Sequence, residues 1–130
     1  MGQQVMSLVI CDTNIFISLF KEFSEAIDTL KKIGDANVLI SSISVMELYR
    51  GMENKKELKT MENKIKRYNV IHFNQEVSIR AIELVQDYKL SHNLQIPDAI
   101  IGAMSVIYKL PLFTYNRKDF KFIPGIVLYQ

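Results

Sequence analysis

The chain has 130 residues, 48% of them apolar and 23% charged. It is long enough to bury one core and too apolar for a disordered or collagen-like chain. Sixteen Lys and Arg against 14 Asp and Glu leave a net charge of +2, too little to indicate nucleic-acid binding by itself, and one cysteine excludes an internal disulfide or a multi-cysteine zinc site.

The apolar runs are short; Leu8 to Cys11 stops at Asp12, and none approaches the roughly 18–20 residues of a membrane span. No cationic stretch leads into an apolar block at the start, so a secretory leader is not expected. Met1 and Met6 are both candidate starts. The expected setting is a reduced, cytoplasmic one.

Leu8 to Cys11 reads as a buried strand, and Asp12-Thr13-Asn14 breaks it before a short helix from Ile15. Residues 24–33 read as a helix, with Ala26, Ile27, Leu30 and Ile33 at helical spacing and Gly34 as its stop. Val38 to Ile40 is a second strand. A helix from Ser44 to Gly51 follows, then an amphipathic one through Leu58, Met61, Ile65 and Tyr68. Val70 to Phe73 is a third strand. Residues 75–91 form a helix that puts Val77, Ala81, Leu84, Val85 and Tyr88 on one side. Pro97 suits the first turn of a helix running to Tyr108. Leu112 to Thr114 is a fourth strand, and Ile126 to Tyr129 a fifth at the edge. Residues 1–130 read as one domain without repeats or linkers. Short apolar strands alternating with helices imply a parallel sheet covered on both faces. Such sheets bind ligands beyond the carboxyl ends of their strands.

Three acids fall in those places. Asp12 follows the first strand, where it also suits a helix N-cap. Glu47 completes Ser44-Val45-Met46-Glu47, the pattern of a capping box. Asp98 lies in the first turn of its helix, where the dipole favours an acid by about 0.3–1 kcal/mol. Each has an ordinary structural explanation alone. If all three converge, each pair at about 4 Å costs on the order of 4 kcal/mol at an effective dielectric near 20. A cation or a shared proton would have to offset that cost. Carboxylates without His or Cys suit a hard ion, Mg²⁺ or Mn²⁺.

Four segments, in order, resemble the motifs of PIN domains. Val9 to Asn14 is similar to their opening, apolar residues and then Asp-Thr-Asn. Ser41 to Leu48 resembles the second motif, serines followed by Glu-Leu, and Ile96 to Ala103 the third, with Pro-Asp-Ala and a small-residue helix. Leu112 to Phe120 resembles the fourth, Thr-x-Asn-x-x-Asp-Phe. Together they cover nearly the whole chain, and the closest likeness is to the VapC-like toxins of type II toxin–antitoxin pairs.

The resemblance implies a PIN-like three-layer α/β sandwich with a central, mostly parallel sheet of about four to five strands. It implies a Mg²⁺- or Mn²⁺-dependent endoribonuclease that is a homodimer and is neutralised by a cognate antitoxin. Asp12, Glu47 and Asp98 match the family's principal acids and metal ligands. Asn116 stands at the Thr-x-Asn position with Asp119 three residues on, and either fits the fourth place. Thr13 and Thr114 match positions that orient acids or waters; Asn14 matches the motif or supports the turn.

Cys11 is expected to be a buried strand residue, and His72 and His92 structural or solvated. Phe16, Leu19, Phe20 and Phe23 are open to core, antitoxin groove or dimer surface. Basic residues at Lys55, Lys56, Lys59, Lys64, Lys66 and Arg67, and at Arg117, Lys118 and Lys121, would hold RNA phosphates if they flank the acids. The alternative is a non-catalytic PIN domain that binds RNA or protein. A receiver-like phosphoacceptor is disfavoured, because Asp12 has no acidic neighbour and the third strand ends without Asp. No Gly-rich phosphate loop is present.

Overall fold

The computed structural model describes residues 7–130; the choice between Met1 and Met6 falls outside them. The chain runs β1 (Val9–Cys11), α1 (Thr13–Phe20), α2 (Ser24–Ile33), β2 (Val38–Ser41), α3 (Ser42–Arg50), α4 (Lys55–Ile65), β3 (Asn69–Ile71), α5 (Gln75–His92), α6 (Ile96–Tyr108) and β4 (Leu112–Phe113). Short 3-10 turns occupy Asp35–Asn37 and Arg117–Asp119. The strands form one sheet in the order β3-β2-β1-β4. Every pairing is parallel, with Ile10 opposite Leu39 and Leu112.

Side-chain alternation along the strands divides the core in two. Val9, Cys11, Val38, Ile40 and Phe113 pack with Ile15, Phe16, Leu30 and Ile65 on the side of α1, α2 and α4. Ile10, Leu39 and Leu112 pack with Val77 and Leu84 of α5 and Ile101 and Met104 of α6. Helices on both faces explain why β1 and β2 are apolar throughout. The result is the three-layer α/β sandwich that the sequence implied. Phe16 belongs to the core, Leu19 and Phe20 lean against it, and Phe23 is 57% exposed. Cys11 is buried, and both histidines are exposed. Among the described residues, no helix is long and apolar enough to cross a membrane.

Several boundaries differ from the sequence reading. The helix of residues 44–51 begins at Ser42, because the Ser41 side chain accepts the Ile43 N–H and caps it (3.1 Å). Ser44 is therefore inside the helix and no capping box forms; Glu47 sits in the second turn. Strand β3 is Asn69–Ile71 rather than 70–73, an exposed edge, and His72 lies beyond it. The fifth strand reduces to a single bridge between Leu112 and Leu128. Gly34 ends α2 as expected, at a φ of 89° that a side chain would resist.

Glycine has a second use in α6. A Cβ at Gly102 would lie 2.6 Å from Cδ1 of Ile123 and 3.7 Å from Phe120. The bare backbone lets α6, which carries Asp98, come close to the segment that follows Asp119.

Candidate active site

Parallel strands deliver their carboxyl ends to one edge of the sheet. Asp12 follows β1 there, and its N–H extends the ladder to the carbonyl of Phe113 (2.9 Å). Its side chain accepts the Thr13 N–H on Oδ1 (2.8 Å) and the Thr114 hydroxyl on Oδ2 (2.8 Å). Asp12 is thus the N-cap of α1 and a held carboxylate at once. Thr114, just past β4, is itself oriented by the Asn116 N–H, which donates to its hydroxyl oxygen (3.0 Å).

Glu47 has a matching arrangement. Its Oε1 accepts the Thr13 hydroxyl (2.7 Å), and Thr13 Oγ1 lies 2.7 Å from Ser44 Oγ. Each of these two carboxylates therefore receives a threonine hydroxyl from the neighbouring strand end or helix start. Thr13 and Thr114 orient acids, as the motif likeness implied.

Asp98 lies in the first turn of α6, behind Pro97. Burial pushes its carboxyl up to about 7, aided by the charges of Asp12, Asp119 and Glu47. Asp12 is also raised, chiefly by burial; its two donors oppose the shift, and Glu47 and Asp119 add to it. Four carboxylates thus share one field. Asp119 lies near enough for its charge to bear on both Asp12 and Asp98. Asn116 is exposed, and its contribution here is the backbone N–H on Thr114. The Oδ1 of Asn14 is buried without a hydrogen-bond partner among the described residues.

The donor set fits a hard divalent cation. It is all oxygen; Cys11 is buried in the core layer beneath α1, α2 and α4, and both histidines are exposed. Among the described residues, no three Asp, Glu, His or Cys side chains are close enough to enclose an ion on their own.

Ser44 is the polar residue of this network that the sequence reading assigned elsewhere. The signal was present: Ser44 precedes Glu47 by three residues, one turn on the same helix face.

A parallel α/β sandwich with acids collected at this edge is the arrangement of the PIN domains, and the chain belongs to that family, whose model matches residues 9–125. Its fold is similar to a toxin–antitoxin complex from Klebsiella pneumoniae, at 33% identity and a TM-score of 0.75, over 94% of this chain and 98% of that one. It is also similar to VapBC2 from Rickettsia felis bound to a DNA fragment from their promoter (25% identity, TM-score 0.77, 94% and 97% covered). VapBC-1 from nontypeable Haemophilus influenzae shares the fold (22% identity, TM-score 0.78, 95% and 97% covered). No curated protein matches the chain by sequence.

Proposed function

We propose that this chain is the toxin of a toxin–antitoxin pair and acts as a Mg²⁺- or Mn²⁺-dependent endoribonuclease. The observation that carries this reading is the pair of carboxylates at the ligand-binding edge of the sheet, Asp12 and Glu47, each held by a threonine hydroxyl, with Asp98 and Asp119 near enough for their charges to interact. Like charge gathered in this way is unfavourable in the folded chain unless a cation or a bound proton offsets it. Membership of the PIN family and the likeness to toxin–antitoxin complexes support the same conclusion.

Asp12, Glu47 and Asp98 would hold the ion, with Asp119 as the fourth acid. A divalent cation held there would supply Lewis acidity toward a scissile phosphate and toward a water nucleophile. The chain's own part is orientation. Thr114 and Thr13 keep one oxygen each of Asp12 and Glu47 engaged, which fixes both carboxylates. Arg117 and Lys118 follow Asn116 directly and are exposed, as are Lys55, Lys56 and Lys59 on α4. These cations would meet RNA phosphates and supply affinity without sequence choice. In this reading residues 1–130 act as one cytoplasmic domain, a homodimer held inactive by its cognate antitoxin.

The test is incubation of total RNA with the purified chain in Mg²⁺, Mn²⁺ or EDTA, beside the Asp12→Ala variant. Discrete fragments that need metal and vanish in the variant are expected. A folded, antitoxin-free protein that cuts nothing in any metal would return the chain to a binding role.

A further inference from the structure

The contacts around Glu47 contain more information than their distances, because hydroxyl protons can be counted. Thr13 Oγ1 has one proton and two short contacts, 2.7 Å to Glu47 Oε1 and 2.7 Å to Ser44 Oγ. A carboxylate only accepts. The threonine proton therefore lies on the contact to Oε1, and the contact to Ser44 must be filled by the serine's proton. Ser44 is fully buried, and Thr13 is its one hydrogen-bond partner among the described residues. The chain of donation has a single direction, Ser44 to Thr13 to Glu47.

We infer that Ser44 is a positioning residue of this site: its buried hydroxyl locks Thr13 in the rotamer that donates to Oε1 of Glu47, and so fixes the carboxylate with Oε2 as its free oxygen. The geometry of this lock stands by itself, and its consequence for metal binding rests on the nuclease reading.

The arrangement has a physical logic. Without the Ser44 donor, Thr13 can rotate about χ1 and lose its hold on Oε1. Glu47 is a half-buried, flexible side chain among like charges, so released it would turn away from them. Partners that orient a metal-binding carboxylate typically change metal affinity by 10–100-fold when removed.

The experiment uses four full-length variants, Ser44→Ala, Thr13→Val, the double variant and Thr13→Ser, with two readouts. First, three-bond couplings report χ1 of Thr13 in the metal-free protein. A single rotamer is expected in the unsubstituted chain and averaging in Ser44→Ala; one unchanged rotamer in both overturns the inference. Second, Mn²⁺ affinity is measured by titration calorimetry. Ser44→Ala should weaken it on the order of tenfold. Thr13→Ser should keep it. Ser44→Ala should add nothing in the Thr13→Val background, since the serine acts through that hydroxyl. A loss that adds fully to that of Thr13→Val would show a separate packing role and overturn the inference. Should the unsubstituted chain neither bind Mn²⁺ nor cut RNA, the nuclease reading fails, while the rotamer measurement still decides the Ser44 lock. Ser44→Cys, similar in size and a weaker donor, should fall between serine and alanine in both readouts.

Discussion

The hydroxyl of Thr114 donates to Oδ2 of Asp12 across 2.8 Å in space and 102 residues in sequence. Both groups are nearly inaccessible to solvent. The bond ties the end of β4 to the end of β1 and steadies a carboxylate that burial, aided by nearby like charges, acts to protonate.

Thr114→Val keeps the shape and removes that donor. Asp12 is then left with the Thr13 N–H, and its carboxyl should rise further. A hydrogen bond to a charged group is worth about 1.5–3 kcal/mol, so the urea midpoint at pH 8 should fall accordingly. Cleavage should drop by roughly 10–100-fold, with Thr114→Ser largely retaining it. Unfolding curves and initial rates on the three proteins check this.

Metal-free stability should depend on pH through Asp98. Its folded value of about 7 lies above its ordinary 3.8, so between those values the native state holds a proton that the unfolded state has released. Stability therefore falls as pH rises from about 4 to about 7 and levels off above that. Because the group is only half-buried, solvent screening limits the change to about 1 kcal/mol. In EDTA, Asp98→Asn should be the more stable protein at pH 8, and the two should converge near pH 4. Added Mn²⁺ should raise the Tm of the unsubstituted chain at pH 8 and do little for the variant. Equal pH profiles for the two proteins would sink this account of the acidic cluster.

Much of this was legible in the residues. The strand segments and the helices follow from apolar periodicity, with Gly34 marking the end of α2 and Pro97 the first turn of α6. Asp12, Glu47 and Asp98 stand out because sheets of this kind place their sites where those acids fall. What was not legible depends on tertiary contact. Ser44 looked like a cap because Ser-x-x-Glu is the pattern of one, and only the approach of Thr13 from α1 gives it another use. That the Asn116 N–H goes to the Thr114 hydroxyl depends on the turn that follows β4, which spacing does not encode. The shortening of the fifth strand to one bridge is likewise a matter of where Leu112 finds a partner.

Cys11 offers a clean probe of the same region, as the single thiol in the chain. Burial, with the charge of Asp12 beside it, pushes it up to about 12. Since the thiolate is the reactive form, the native protein should be inert to a disulfide reagent at pH 8 and react fully in urea. Rapid labelling of the native chain would mean that β1 is open to solvent.

Phosphate contacts give a further expectation. If Arg117 and Lys118 meet the RNA backbone, affinity for a non-cleaved RNA should fall linearly with the logarithm of salt concentration. Replacing both with Gln should flatten that slope by roughly two contacts, about 1.4 on the single-strand scale. A slope unchanged by the double replacement would place the RNA elsewhere, with α4 and its exposed lysines the next surface to test.

Gly102 connects packing to the acids. A methyl at this position would sit 2.6 Å from the tip of Ile123, so Ile123 or α6 must move. Alanine has the better helix propensity, by about 1 kcal/mol, which partly offsets the clash. Valine adds more bulk without that benefit, and overpacking of this kind costs about 1–3 kcal/mol. Gly102→Val should therefore lower the Tm clearly and Gly102→Ala only slightly. Because Ile123 and Phe120 follow Asp119, the strain should also shift that acid relative to Asp98 and slow cleavage. Shortening the obstructing side chain distinguishes this from a general loss of fold: Gly102→Ala combined with Ile123→Val should recover both stability and rate. Recovery of stability without recovery of rate would mean that the position of Asp119 does not limit the reaction.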